Sequence, residues 1–295
     1  ENLCLNTVRQ TKMEFWQHAL VSDSPAPAVY VEIKDGSSIF PLYLYPDPNE
    51  LMNVSEWEAG INGRVPNLSV KFVRAMEAKL DLKFIVTPPI NGNSSDSFTP
   101  EDVFHYAYAV FHSPTYRERY AEFLKIDFPR LPLTSDVELF RALCIKGETL
   151  VNAHLLKNIA RRDLLTTYPE RGSNTVEQGY PKFVVDIVGE HQRVLPPAPE
   201  PTVGEHQRVL PPTPDTTAKG RVYINKTQYF DGVREAVWAF HVGGYQVLEK
   251  WLKDRKGRTL SDDDILHYQK IVVALQKTIQ TMTEIDETIG EFPIR

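Results

Sequence analysis

The sequence predicts a mixed α+β chain, with short β segments near its start and a helix-rich remainder that ends in one long helix. Three observations carry this expectation. Ala28-Val29-Tyr30-Val31-Glu32-Ile33 is rich in β-branched and aromatic residues, and the Asp35-Gly36 pair behind it is a turn signal. Helix-start signals precede apolar residues spaced three and four apart at several places between residues 67 and 151. Ser261-Asp262-Asp263-Asp264 sets a cap and three acids against the positive end of a helix, and Ile265, Tyr268, Val272, Leu275, Ile279 and Met282 continue it.

Taken in order, residues 1–46 read as short extended segments, with 38–45 as a second strand and 28–33 its hairpin partner. Pro46-Asp47-Pro48-Asn49 ends that region. Asn67 is expected to cap the first helix, whose Phe72, Val73, Met76 and Leu80 share a face. Thr99-Pro100-Glu101-Asp102 combines a cap, a first-turn proline and two acids, ahead of an apolar face through Val103, Ala107, Val110 and Phe111. Ser113-Pro114 should break this helix and restart it toward Phe123. Ser135-Asp136-Val137-Glu138 matches a capping box, with Val137, Phe140, Cys144, Gly147 and Val151 on one stripe behind it.

The segment 189–219 is a Pro-rich break. Residues 188–197 (VGEHQRVLPP) recur at 203–212, and two copies are too few for a stacked repeat architecture. They read as a tandem duplication in a surface loop, which explains the recurrence of His191 and His206 without metal chemistry. Beyond it, 221–229 is expected as a strand, 231–240 as a helix ended by Gly243-Gly244, and 245–253 as another helix. The long last helix must lay its stripe on a partner, either inside the chain or on a neighbour. The expected organisation is therefore 1–46, 47–188, a linker at 189–219, and 220–295.

Composition narrows the function classes. A chain of 295 residues with 42% hydrophobic and 24% charged residues can bury a sizeable core. Its apolar runs are too short to cross a bilayer, and no signal peptide is visible. Cys4 and Cys144 lie far apart without metal-ligand spacing, which suits a reducing cytoplasm. The start, Glu1-Asn2-Leu3-Cys4, lacks an initiator Met and reads as a cut inside a larger protein or, equally, as a processed or trimmed chain. The net charge of -6 disfavours a nucleic-acid partner as a sum, but phosphates respond to local potential. Between residues 219 and 258 nine basic residues face four acids. That stretch suits either phosphate contact or an ordinary solvated helix face.

Catalytic motifs are scarce. No Gly-rich turn for S-adenosylmethionine and no Asn/Asp-Pro-Pro-Tyr/Phe element is present, for Thr87-Pro88-Pro89-Ile90 lacks both the amide and the aromatic. There is no nucleotide phosphate loop and no Gly-x-Ser-x-Gly elbow. Asp23 with Glu32 and Lys34 follows the Asp…Glu-x-Lys layout of magnesium-dependent nucleases, and equally that of a half-exposed hairpin. No catalytic, cofactor or metal site is expected in this chain.

Three stretches resemble the C-terminal specificity (target recognition) domain of Type ISP restriction–modification enzymes. The first joins Asn2 to Arg9, Trp16-Gln17-His18 and Phe40-Pro41-Leu42-Tyr43-Leu44-Tyr45-Pro46. The second comprises Phe104-His105-Tyr106-Ala107-Tyr108-Ala109, His112 to Tyr120, and Phe123 to Arg130. The third runs from Gly243-Gly244-Tyr245 through Lys250-Trp251-Leu252-Lys253 and Gly257-Arg258 into the final helix. The resemblance covers about residues 1–290 apart from the duplicated linker. It implies a module that recognises double-stranded DNA and positions a target adenine for a methyltransferase domain elsewhere in a prokaryotic, cytoplasmic parent enzyme. S-adenosylmethionine, ATP and magnesium are implied for that parent and not for this chain. DNA contacts are then expected from Arg117, Arg119, Lys125, Arg130, Lys226, Lys250, Lys253, Arg255, Lys256 and Arg258, the cluster at 250–258 meeting phosphate and the first group partly structural. Bases are expected to be read by loops such as 92–97 or 174–182. A scaffolding module that docks through the last helix is the alternative from another class.

Overall fold

The computed structural model describes residues 2–13, 15–24, 36–45, 63–87, 95–186, 193–195 (backbone only) and 218–294. The chain divides into two compact units, Glu1–Leu155 with Thr281–Arg295, and Leu156–Gln280. The Pro-rich break of the sequence thus falls within the second unit.

The first unit begins with a three-stranded antiparallel sheet. Its central strand β1 (Cys4–Thr7) pairs with β2 (Leu20–Ser22) and β3 (Ser38–Pro41). The partner expected for residues 38–45, residues 28–33, lies outside the described residues; β3 pairs with β1. Leu42 interrupts the run, so that β4 (Tyr43–Leu44) turns to a separate partner, β5 (Val65–Pro66). Asn67 does not cap the helix that follows. Its amide donates to the Pro41 carbonyl, and Ser69 occupies the cap of α1 (Val70–Leu80), with Val73, Met76 and Leu80 buried as expected.

A parallel pair, β6 (Lys83–Phe84) and β7 (Ser97–Phe98), leads into α2 (Pro100–His112). Here the sequence signals hold in detail: Thr99 and Asp102 form a reciprocal capping box, and Pro100 opens the helix. Ser113 then ends α2 and caps α3 (Pro114–Arg119), which passes at Tyr120 into α4 (Ala121–Ile126). The helix α5 (Val137–His154) is capped by Asp136, whose carboxylate accepts from the Leu139 N–H, so a single aspartate cap stands where a Ser135–Glu138 box is expected. Phe140, Cys144, Gly147 and Val151 are buried on its stripe.

Helices α2 and α5 form the centre of this unit. Gly147 permits their close approach, since a Cβ there would lie 1.8 Å from the His105 carbonyl oxygen. Around the contact Phe98, Phe140, Tyr106, Tyr108 and Leu143 are buried. At its far end lies a polar cluster. His112 Nδ1 pairs with the Tyr108 carbonyl (2.7 Å), and the Tyr108 hydroxyl meets His154 Nδ1 (2.6 Å). Burial, reinforced by the nearby Arg117 cation, holds His112 well below the ordinary histidine range and lowers His154 to about 4.

The second unit is built on an antiparallel sheet of order β11-β10-β8-β9, from β8 (Lys182–Val185), β9 (Arg193–Leu195), β10 (Lys219–Tyr223) and β11 (Tyr229–Arg234). Residues 193–195 of the first VGEHQRVLPP copy thus pair with β8, whereas most of the duplication lies outside the described residues. The expected strand at 221–229 is in fact a hairpin. Asn225 Oδ1 accepts from the Thr227 and Gln228 N–H groups and reverses the chain. The expected helix at 231–240 shrinks to α6 (Glu235–Trp238), because residues 231–234 extend β11.

Gly243 and Gly244 have φ of 55° and 85°, and join β12 (His241–Val242) to β13 (Tyr245–Gln246) as a two-residue hairpin. They end no helix. The helix α7 (Val247–Lys253) follows, then α8 (Asp262–Ile289), whose N-terminus carries a reciprocal Ser261–Asp264 box. Tyr268, Val272, Leu275, Ile279 and Met282 are all buried, with Tyr268 packed on Phe230 and Trp251. The last helix therefore buries its stripe inside the chain. Among the described residues no helix is long and apolar enough to cross a membrane.

Gly147→Ala should cost at least about 2 kcal/mol of folding stability, because the α2–α5 contact must open to admit a methyl group. Chemical denaturation measures it, and an unchanged midpoint would contradict the packing. A histidine held neutral in the fold but free to protonate when unfolded draws protons to the unfolded chain as pH falls. Its contribution is full above 6.5 and declines as the pH drops toward about 4. Urea midpoints should thus be lower at pH 5 than at pH 7.5, with a shallower decline in His154→Asn.

Candidate nucleic-acid interface

The basic residues singled out from the sequence separate by what their charges already touch. In the first unit, Arg117 turns its guanidinium inward. Its Nε donates to the Phe111 carbonyl (2.6 Å), its guanidinium lies 5.8 Å from the Trp16 ring centre, and burial lowers its pKa to about 10. Asp286 on α8 stands close enough to favour its charge. Arg117 is thus an internal group, for a guanidinium committed to a carbonyl and a ring face has little left to offer a phosphate.

Around it the α3 start is held by the same carboxylate: Asp286 accepts from the Ser113 hydroxyl, the Thr115 N–H (3.0 Å) and the Thr115 hydroxyl (2.7 Å). Lys125 pairs with Glu122 at 2.8 Å, one turn away on α4. Arg119 is exposed and makes no ion pair among the described residues, and Arg130 is 88% exposed with only a 3.9 Å approach to Asp127. Of this group, Arg119 and Arg130 alone keep open cationic heads.

In the second unit the cluster at the end of α7 is likewise divided. Lys250 is bound to Asp254 (2.6 Å). Lys253 reaches Glu249 (3.2 Å), whose carboxylate is almost fully buried and whose Oε1 has no hydrogen-bond partner among the described residues. Arg255 lies against Trp251, 3.5 Å from the ring centre, donates to the Trp251 carbonyl and faces Asp264 at 3.8 Å. The heads of these three are thus engaged, Lys250 and Arg255 by part-exposed acids and a ring, and Lys253 by the buried Glu249. Lys256, Arg258 and Lys226 are exposed, with no ion pair among the described residues.

Those open cations are brought together by a third segment, residues 170–177. Val176 N–H donates to the Arg258 carbonyl (3.0 Å) and Gly257 N–H returns a bond to the Val176 carbonyl (2.8 Å). On the other side Glu177 N–H donates to the Ile224 carbonyl (2.9 Å), and the Asn225 amide donates to the Thr175 carbonyl (3.1 Å). The strip 174–177 is thus stitched between the loop carrying Lys256 and Arg258 and the hairpin tip carrying Lys226. It belongs to the 174–182 loop expected from the sequence to read bases.

Gln228 completes the stitching. Its buried Oε1 accepts from the Asn174 N–H (2.8 Å) and the Asn225 amide (3.0 Å), while its Nε2 donates to Asn174 Oδ1 (2.6 Å) and the Glu170 carbonyl (3.2 Å). Sequence reasoning alone misses Gln228 and Arg171. The signals lie in the polar turn Asn225-Lys226-Thr227-Gln228 and in Glu170-Arg171-Gly172-Ser173-Asn174, but charge counting ignores a neutral amide. The other expected reading loop, 92–97, is described only at residues 95–97, where the Ser95 and Ser97 carbonyls accept from Arg141.

Of the nuclease-like set, Asp23 is exposed, and Glu32 and Lys34 lie outside the described residues, as do His191 and His206. Among the described residues no three His, Cys, Asp or Glu side chains are grouped to hold a metal ion.

The model of the Type ISP C-terminal specificity domain family matches residues 1–284. No relative among the curated proteins matches the sequence. The chain is similar in fold to the ATP-dependent Type ISP restriction-modification enzyme LlaBIII bound to DNA (TM-score 0.54, 18% identity), over 100% of this chain and 16% of that one. A nuclease-deletion mutant of the Type ISP enzyme LlaGI in complex with a DNA substrate mimic gives 0.51 and 19%, over 100% and 22%. The DrdV–DNA complex gives 0.52 and 21%, over 99% and 25%. The chain thus spans a quarter or less of each of those chains, and at these identities the likeness speaks for the fold.

The internal pairs predict a separation of stability from binding. Lys253→Met should destabilise the chain by about 3 kcal/mol, since it strands the buried Glu249 charge. Glu249→Gln added to Lys253→Met should restore part of that stability in thermal unfolding. A Lys253→Met variant as stable as the parent would show that the pair carries no such weight.

Proposed function

The chain belongs to the Type ISP C-terminal specificity domain family, and on that premise we propose that it recognises a target sequence in double-stranded DNA and positions the target adenine for a methyltransferase domain elsewhere in the parent enzyme. The observation that carries the reading is the stitched loop cluster of the second unit. Lys226, Lys256 and Arg258 stand exposed on two loops held to one strip by hydrogen bonds. Fixed cations of this kind suit phosphates, whose contacts set the register of a protein on a duplex, while polar side chains between them face base edges. The negative sum of the chain is compatible with this, because the acids of α7 are neutralised by Lys250 and Lys253, and Asp264 by Arg255 and the helix cap.

The three solved structures similar in fold each hold DNA or a DNA substrate mimic, and the open cations of the first unit, Arg119 and Arg130, extend the reading to that unit. Methylation, cutting and ATP-driven motion belong, on this reading, to other parts of the parent. A scaffolding role through α8 finds less support, for the stripe it would need is buried.

Binding of a labelled duplex, followed by fluorescence anisotropy across a salt series, tests the proposal. Removing one cation that neutralises a phosphate should reduce the slope of log affinity against log salt by about 0.9. The triple change Lys226→Glu, Lys256→Glu and Arg258→Glu should weaken every duplex about equally and flatten the slope by about 2.7. Unchanged affinity and slope would sink the interface placed here.

A further inference from the structure

We propose that the loop Glu170–Asn174 is the base-reading element of the second unit, with Arg171 reaching a base edge and Gln228 acting as the positioning residue that fixes the loop. This rests on the DNA-recognition reading above and adds to it the residues that set specificity.

Three observations support it. First, residues 170–173 are exposed, and Arg171 makes no ion pair among the described residues. The same short stretch presents an exposed carboxylate at Glu170, and Glu177 follows on the adjoining strip. A surface made only for phosphate would not put carboxylates there, since they repel it. Base edges call for both kinds of group: guanine O6 and N7 accept from an arginine fork, and the cytosine amine donates to a carboxylate. The mixture of signs therefore fits the groove between phosphate-contacting flanks.

Second, the loop is held more firmly than an exposed turn needs. The Gln228 side chain makes four hydrogen bonds to it and to Asn225, and is itself only 1% exposed. A Cβ on Gly172 would lie 2.7 Å from Gln228 Cδ, so the loop backbone is drawn tight over that amide. Asn174 adopts a left-handed φ of 55°, and Gln228 bonds both its N–H and its side chain. Side chains that discriminate bases work from such pre-organised backbone, because ordering a loose loop on binding would offset the gain.

Third, the loop is joined at one end to the cations expected to meet phosphate. Asn174, Thr175 and Val176 connect it within a few residues to Lys256, Arg258 and Lys226, and the Thr175 hydroxyl lies 3.1 Å from that of Thr259. A register set by those phosphate contacts would bring the same part of a groove to residues 170–173 each time.

Selection of bound duplexes from a random pool, run with the chain and its variants, tests this. Arg171→Ala should lower the preference at one base pair by about tenfold, the equivalent of one bidentate contact. Gln228→Met, which keeps the bulk but none of the four hydrogen bonds, should blur preference at several adjacent positions, a larger effect than any it has on the low-salt affinity for bulk duplex or its salt slope. That split separates positioning from general damage, and a thermal unfolding curve shows whether the variant is folded. If Gln228→Met does not fold, Arg171→Ala alone decides. Normal salt-dependent binding with an unaltered preference in Arg171→Ala overturns the proposal and leaves the DNA-recognition reading standing. A parent chain that binds duplex but enriches no sequence overturns the proposal too, and a chain that binds no duplex takes the underlying reading with it.

Discussion

An irregular surface loop keeps one shape only when the polar backbone groups on its inner side find partners, since each one left unpaired under the surface costs as much as a missing hydrogen bond. In the second unit that requirement is met by two neutral side chains. Asn225 closes the β10–β11 hairpin by accepting two N–H groups, and Gln228 accepts and donates across the loop that begins at Glu170. Both are buried, and the strands they join place Val222 and Phe230 in the core, with Phe230 packed on Tyr268. The amide network thus continues directly from a packed hydrophobic base. Recognition as proposed relies on this arrangement, because it converts three separate connections into one fixed surface.

The need for partners also explains where the charges went. Arginines and lysines that stand together in the sequence do different things once folded. Arg117, Lys250, Lys253 and Arg255 satisfy carbonyls, rings or carboxylates of their own unit, whereas Arg119, Arg130, Lys226, Lys256 and Arg258 face water. A guanidinium on a ring face, such as Arg255 on Trp251, also stiffens the helix end from which Lys256 and Arg258 project. Engaged cations thus lie beside open ones, and a run of basic residues mixes the two kinds.

How much of this is legible in the sequence depends on the range of the interaction. Helices announced by local chemistry are read well: the Thr99–Asp102 box, the Ser113-Pro114 break and the stripe of α8 all depend on residues within a turn of one another. Errors arise where a tertiary partner decides the outcome. Residues 231–234 have helix-compatible neighbours but join β10 as a strand, and Gly243-Gly244 looks like a helix end but is a hairpin turn. The proposed site is legible in outline, through the basic stretch at 250–258 and the loop near residue 174. Gln228 and Arg171 are not, because their meaning comes from contacts between residues up to 58 positions apart. Which lysine is held by a buried acid is equally invisible, for Glu249 looks solvent-facing in one dimension.

Recognition by this chain requires that the stitched loops of the second unit lie against a duplex. Amide hydrogen exchange of the chain with and without duplex DNA reads this directly, peptide by peptide. Protection on binding should concentrate in residues 170–177, 224–228 and 255–260, leaving the central α2–α5 contact unchanged. Protection confined to other surfaces, with those three segments exchanging as fast as in the free chain, would contradict it.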